Sequence, residues 1–186
     1  AVMNGGGLKD HSNDELAAIM AGKKVGVGFS MTDRFFLLSG NTNREDLETQ
    51  LQLQTAYLMH PGYRQDGVTL LRRAIPMIYN KMDHEVQGAM KKQVPAILYR
   101  NNPRFTFPTQ EQLTSYQVKD VRDWVDAPLK NNYMEVTVTG DFRTEDIIPL
   151  LERTVGAVPK RAEAPATLDE TLRHPAMADF NFSKDL

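Results

Sequence analysis

The 186 residues contain no cysteine. That excludes disulfides, thiolate catalysis and cysteine-based zinc sites within the chain, and it leaves the compartment open. Charge of one sign is also lacking. Lys and Arg number 22 against 24 Asp and Glu, a formal net charge of -2, and no basic patch stands out, so nucleic acid is not an expected partner. No apolar run approaches the roughly 18 residues of a membrane-spanning helix. The charged-then-apolar start of a signal peptide is missing too, which says nothing about a longer parent chain. Histidine is scarce. His11, His60, His84 and His174 include no pair at i, i+4, the spacing that sets two ligands on one helix face. What remains is an ordinary globular composition, 41% hydrophobic and 25% charged, long enough for one domain with a core.

The stretch around which the rest is arranged is 23–42, KKVGVGFSMTDRFFLLSGNT. Val25, Val27, Phe29 and Met31 alternate with Gly26, Gly28 and Ser30, the period-2 pattern of a half-buried strand. Thr32 and Asp33 supply a turn. Phe35, Phe36, Leu37 and Leu38 return as a strand apolar on both faces, which predicts cover on both sides. Before this hairpin, three glycines (Gly5, Gly6, Gly7) predict a loop. Ser12 with Glu15 forms a capping box opening a short helix faced by Leu16, Ile19 and Met20 and stopped at Gly22. After it, Thr42 with Glu45 reads as a second capping box. The helix that follows carries Leu47, Leu51 and Leu58, with a polar gap at Gln54 and Thr55.

Further along, Val68, Leu71, Ile75 and Ile78 mark a helix that Pro76 should kink, and Val86, Met90, Val94 and Ile97 mark another that Pro95 should kink or break. Thr109 with Gln112 is a third capping box. Val118, Val121 and Val125, with Trp124 beside them, predict the next helix. The second strong β signal is 132–141, where Met134, Val136 and Val138 alternate with Glu135, Thr137 and Thr139. A helix over 144–155 then turns Ile147, Ile148, Leu151 and Val155 inward, with Pro149 awkward outside a first turn. From Pro159 onward periodicity vanishes. The expectation is an α+β fold, a mostly antiparallel sheet with helices on one face, in one domain over 1–160 and an extended linker or tail over 161–186.

No catalytic constellation emerges from the residues. His84 and Glu85 are neighbours on a helix and do not face each other, so a solvated pair is the simpler reading. Gly26 and Gly28 sit inside a strand with no following helix, which is not a nucleotide loop; close backbone packing explains them better. Ser30 and Ser39 lack a nucleophile elbow. The nine methionines and Phe29, Phe35, Phe36 and Trp124 read as core, and the pairs Arg72–Arg73 and Lys91–Lys92 as solvated faces.

The order and spacing of these weak signals nevertheless resemble one family. The loop MNGGG, the capped helix SNDELAAIMAG and the hairpin VGVGFSMTDRFFLLSG come first. A helix from NREDLETQLQL to HPGY, the stretch through YRNNPRF, the segment PTQEQLTSYQVKDVRDWV and the strand-turn-helix EVTVTGDFRTEDIIPLLERTVGAVP follow. Together they are similar to the pitrilysin/insulinase family of zinc metallopeptidases, the inverted zincins, over about 4–160. The resemblance implies a metalloprocessing-peptidase-like domain. In the family, H-x-x-E-H binds zinc just before a loop like MNGGG; here that position falls upstream of Ala1. The third ligand, a glutamate on a later helix, corresponds to the stretch Ile75, Pro76, Met77, Ile78, Tyr79, where no carboxylate occurs. The nearest acids are Asp83 and Glu85.

The resemblance therefore implies a non-catalytic domain of the second half of such a peptidase, with no catalytic, cofactor-binding or metal residue in this segment and zinc elsewhere in the parent. Such a domain would help enclose the peptide, dock it in strand form and contact the parent's other domains. Family domains begin with strands upstream of the zinc helix. Their absence here predicts an incomplete sheet with an exposed edge and self-association of the isolated chain. Three alternatives stay open: a catalytic domain cut just after H-x-x-E-H, a non-peptidase interaction subunit on the same fold, and an unrelated α+β binding domain. The resemblance is compatible with a periplasmic or exported parent and fixes no compartment.

Overall fold

The computed structural model describes residues 2–32 and 34–164. They fall into two compact units, one formed by 2–68 with 117–164 and the other by 69–116.

The first unit opens with a short helix, α1 (Val2–Gly6), where a glycine loop was expected. Val2 and Met3 are buried, and that burial outweighs the poor helix propensity of Gly5 and Gly6. The turn out of α1 needs Gly7, whose φ is +65°. Helix α2 (Asn13–Ile19) carries the expected capping box: Ser12 Oγ accepts from the Glu15 N–H at 3.2 Å, and Glu15 Oε2 accepts from the Ser12 N–H at 2.7 Å. Leu16 turns inward, whereas Ile19 is exposed. The hairpin is shorter than its sequence pattern. Strands β1 (Gly28–Met31) and β2 (Phe36–Ser39) pair antiparallel with Phe29 opposite Leu38 and Met31 opposite Phe36. Thr32 Oγ1 closes the turn by accepting from the N–H groups of Arg34 and Phe35.

A two-stranded ribbon is marginal by itself. This one is held by a single face. Phe29, Phe36 and Leu38 pack on a cluster of buried Met3, Leu58, Val125 and Leu129, each such side chain contributing about 1.5–3 kcal/mol of burial. Phe36 also meets the edge of Trp124 with ring centroids 5.6 Å apart. The other face is open: Phe35 and Leu37 are exposed, so the expected two-sided cover of the return strand does not exist among the described residues. Val25 and Val27 lie outside the ladder and pack instead on Leu16, Leu53 and Tyr57.

Helix α3 (Leu47–Met59) follows. Its predicted capping box at Thr42 and Glu45 is not formed. Asn43 Oδ1 accepts from the Asp46 N–H at 2.8 Å, which caps the turn before the helix, and Asp46 is left free to bind elsewhere. After the 60–64 loop come α4 (Gln65–His84) and, in the second unit, α5 (Val86–Leu98) and α6 (Gln110–Ser115). Pro76 and Pro95 lie inside continuous helices and break neither. Helix α5 ends where Arg100 and Asn101 take positive φ. The capping box of Thr109 and Gln112 is formed as expected. In the first unit, α7 (Val118–Asn131) buries Val125 and Leu129 but leaves Trp124 largely exposed. Helix α8 (Thr144–Arg153) buries Ile147, exposes Ile148, and is followed by a 3-10 turn at Val155–Ala157.

The fold expectation is corrected on one main point. The chain is mostly helical, and the sheet among the described residues has two strands. The strongest remaining β signal, 133–139, is in no ladder among the described residues. A strand is defined by its neighbour's backbone, and no described segment lies beside this one to supply the hydrogen bonds. Of the expected tail, residues 161–164 are described: the Ala162 N–H donates to the Asn131 carbonyl at 2.9 Å and Arg161 Nη1 to that of Leu129 at 2.8 Å. Residues 165–186, with His174, lie outside the described residues.

Candidate functional site

Two places bear on a site: the polar seam beneath the hairpin in the first unit, and the 75–79 stretch of α4 in the second.

The seam begins at the glycines. Where α1 ends, the chain crosses the loop after α3 so closely that a Cβ on Gly6 would run into the Gly62 carbonyl. The Gly62 N–H donates to the Gly7 carbonyl at 2.9 Å, the Lys9 N–H donates to that of His60 at 2.9 Å, and Leu8 bridges Pro61. Arg64 fastens this crossing, its Nη2 donating to the carbonyls of Leu8 (2.8 Å) and Lys9 (3.0 Å). Asn4 reaches from α1 to β1, Oδ1 accepting from the Phe29 N–H at 2.7 Å.

Next to the hairpin, Asp46, just before α3, and Gln50 and Gln54 within it place three polar side chains four residues apart. Asp46 Oδ2 accepts from the Lys24 N–H at 2.8 Å and its Oδ1 lies 3.4 Å from Lys23 Nζ. The Lys24 amide first, and Lys23 after it, hold this carboxyl below its usual range against the opposing push of burial. Gln50, almost fully buried, donates from Nε2 to the Gly26 carbonyl at 2.8 Å and accepts at Oε1 from the Gly26 N–H at 2.9 Å. A single side-chain amide thus occupies both backbone groups of one residue, as a neighbouring strand would. Gln54 Nε2 donates to the Leu38 carbonyl at 3.4 Å. The polar gap seen at Gln54 is therefore one end of a stripe, 46–50–54, that grips the hairpin. Asp46 and Gln50 escaped sequence reading. The available signal was their i, i+4 spacing with Gln54, which sets all three on one side of the helix.

No residue was assigned a catalytic or metal-binding role from sequence, and the seam holds no nucleophile–base pair. At the third-ligand stretch, Ile75 is fully buried and Tyr79 is buried with its hydroxyl donating to the Pro108 carbonyl, while Met77 and Ile78 face outward. Burial pushes the Tyr79 phenol up from its ordinary value. Asp83 lies 3.1 Å from Lys92 Nζ and Glu85 lies 3.9 Å from Lys81 Nζ, both as ion pairs. His84 Nδ1 is 2.8 Å from the Asn80 carbonyl on its own helix. Among the described residues, no three His, Asp or Glu side chains gather where they could hold a metal, and no helix is long and apolar enough to cross a membrane.

Comparison with known proteins places this architecture among peptidases. The fold matches a protease from Helicobacter pylori (TM-score 0.68, 13% identity, 94% of this chain and 43% of that one). It also matches the ferredoxin protease FusC, solved in complex with Arabidopsis ferredoxin (TM-score 0.65, 17% identity, 94% of this chain and 19% of that one). In sequence, the chain is 21% identical over 145 residues to the chloroplastic stromal processing peptidases of Pisum sativum and Arabidopsis thaliana. That alignment covers 77% of this chain and 12% of those relatives. No family profile matches the chain. These similarities show a fold shared with the two solved proteases.

Proposed function

We propose that this chain is a non-catalytic domain of a pitrilysin/insulinase-like zinc metallopeptidase, helping to wall the chamber that holds the substrate. The carrying observation is the occupancy of the 75–79 stretch. Ile75 is committed to the core and Tyr79 to the Pro108 carbonyl, and neither they nor Pro76, Met77 or Ile78 offers a carboxylate. A two-His, one-carboxylate zinc site needs a hard oxygen donor at that place, and these residues do not fit one. Zinc and the water it activates belong, on this reading, to another domain of the parent, and this domain's partners are the parent's other domains and a peptide. The complex of FusC with ferredoxin supports a protein as the source of that peptide. Nothing is required of the domain beyond shape: an apolar-cored wall with its hairpin held by Asp46, Gln50 and Gln54 and its glycine crossing fastened by Arg64.

The test is a calorimetric zinc titration of the chain after dialysis against a chelator, with thermal melts in chelator and in zinc. The expected result is no saturable one-to-one binding and no change in melting temperature. Tight stoichiometric binding that raises the melting temperature refutes the reading.

A further inference from the structure

Helix α5 turns its smallest residues inward. Gly88 and Ala89 are buried, and a Cβ on Gly88 would run into the Met82 backbone of α4. Only a helix side without a Cβ lies that close to another backbone, so this approach fixes which side faces in. The stripe Val86, Met90, Val94 and Ile97, expected to face a core, shares one side of the helix with Leu98. None of the five is buried, and Val86 and Met90 are 61% and 51% exposed. Charge divides along the same unit boundary. Residues 69–116 carry seven Lys and Arg against three Asp and Glu, a net +4. The whole chain is -2, so the remainder carries -6. Within the unit Lys92 takes Asp83 and Lys81 takes Glu85, while Arg73, Lys91, Arg100 and Arg104 are exposed. Lys91 borders the apolar stripe. Arg100 and Arg104 follow at the end of α5, in a loop held by the stacking of Tyr99 on Phe105 at 4.2 Å and by the Asn101 N–H donating to the Ala96 carbonyl at 2.8 Å.

We propose that this side of α5 docks an acidic polypeptide segment, its apolar side chains on Val86, Met90 and Leu98 and its carboxylates on Lys91, Arg100 and Arg104. The proposal rests on the peptidase reading only in calling that segment a substrate, and it gives the enclosed peptide a chemical character. The charge partition is what names the occupant, since a basic rim around an apolar stripe matches carboxylates around apolar groups. Two features favour a polypeptide over a nucleic acid or an anionic membrane. Apolar side chains fill the middle of the face, where a phosphate backbone has nothing to meet. The -6 on the rest of the chain opposes adsorption to an extended anionic surface, whereas a short segment meets the local +4 within about a Debye length of 10 Å.

Fluorescence anisotropy with the full chain tests this, using short labelled peptides of Glu, Leu, Ser and Gly and their twins with Gln or Lys in place of every Glu. The Glu peptide should bind at least about tenfold tighter than the Gln twin, and the Lys twin should not bind. Lys91→Glu with Arg104→Glu should weaken the Glu peptide at least about tenfold. Lys9→Glu with Lys160→Glu, the same charge change at exposed positions of the first unit, should alter it by less than about twofold. Equal affinity for the Glu and Gln peptides, equal loss in the two double variants, or tighter binding of duplex DNA or phosphatidylglycerol vesicles each overturns the proposal. Should the Lys91 and Arg104 variant misfold, peroxide oxidation of the parent decides. The Glu peptide must slow oxidation of Met90 and leave Met31, exposed on the hairpin, unchanged; an unslowed Met90 refutes the docking. Zinc binding by the chain would refute the non-catalytic reading and leave every one of these outcomes standing.

Discussion

Replacing Gln50 with alanine tests whether a helix side chain holds the hairpin in register. Gln50 makes two neutral hydrogen bonds to Gly26, at 2.8 and 2.9 Å, from a nearly fully buried position. Each is worth about 1 kcal/mol net. Gly26 itself is exposed, so its freed N–H and carbonyl return to water and bring no further penalty. The lost side-chain packing adds up to about 1 kcal/mol. Gln50→Ala should therefore destabilise the chain by about 2–3 kcal/mol, a fall in melting temperature of about 5–10 °C at this size. Gln54→Ala, which gives up one 3.4 Å bond from a half-buried site, should cost about 0.5 kcal/mol. Two independent readouts accompany the melts. Hydrogen exchange at Gly26 should speed in Gln50→Ala and stay unchanged in Gln54→Ala. Gly40→Ala, whose new Cβ would fall inside the Gln50 amide, should lose about 1 kcal/mol of its penalty when combined with Gln50→Ala. Equal costs for the two glutamine variants, or strict additivity with Gly40→Ala, would show that the amide does not hold the hairpin.

Two further substitutions probe the acid response and the second unit. The Asp46 carboxyl is held below its usual range by the Lys24 amide and Lys23. The unfolded chain therefore binds the proton more readily, and this contribution to stability is present above the unfolded carboxylate pKa and lost as pH falls through the lower folded value. Asp46→Asn should weaken the protein at neutral pH and flatten the decline in urea midpoint below about pH 4; an unchanged acid slope refutes the assignment. Ile75 is fully buried, and Ile75→Ala should cost about 3 kcal/mol in urea unfolding. A cost under about 1 kcal/mol would mean that the 75–79 stretch is not committed to the core and would reopen its reading as a ligand-bearing helix.

Local chemistry was legible in the sequence wherever its partners lie a few residues away. The capping boxes of Ser12 with Glu15 and Thr109 with Gln112 formed as read, because a cap is completed within one turn. The box at Thr42 and Glu45 failed because Asp46 had a distant partner to satisfy, the Lys24 N–H, and the helix starts after it. The same competition explains the glycine loop that became α1: buried Val2 and Met3 overrode propensity. The return strand misled for another reason. Phe35 and Leu37 are apolar, but apolarity records only a demand for cover and does not name the element that supplies it.

By itself, the sequence determined the order of helices, the hairpin and its turn, two of the caps, and the absence of a carboxylate at 75–79. Those depend on residue type and on spacings of two to four. Only the tertiary structure decided that Gln50 stands in for a strand, that Gly6 and Gly62 must cross, and that 133–139 lies extended without a ladder among the described residues. The first two relate residues 24 and 56 positions apart, and periodicity carries no information about which distant backbone a side chain will meet. A β pattern states that a segment can pair, and whether it pairs is settled by what lies beside it in space.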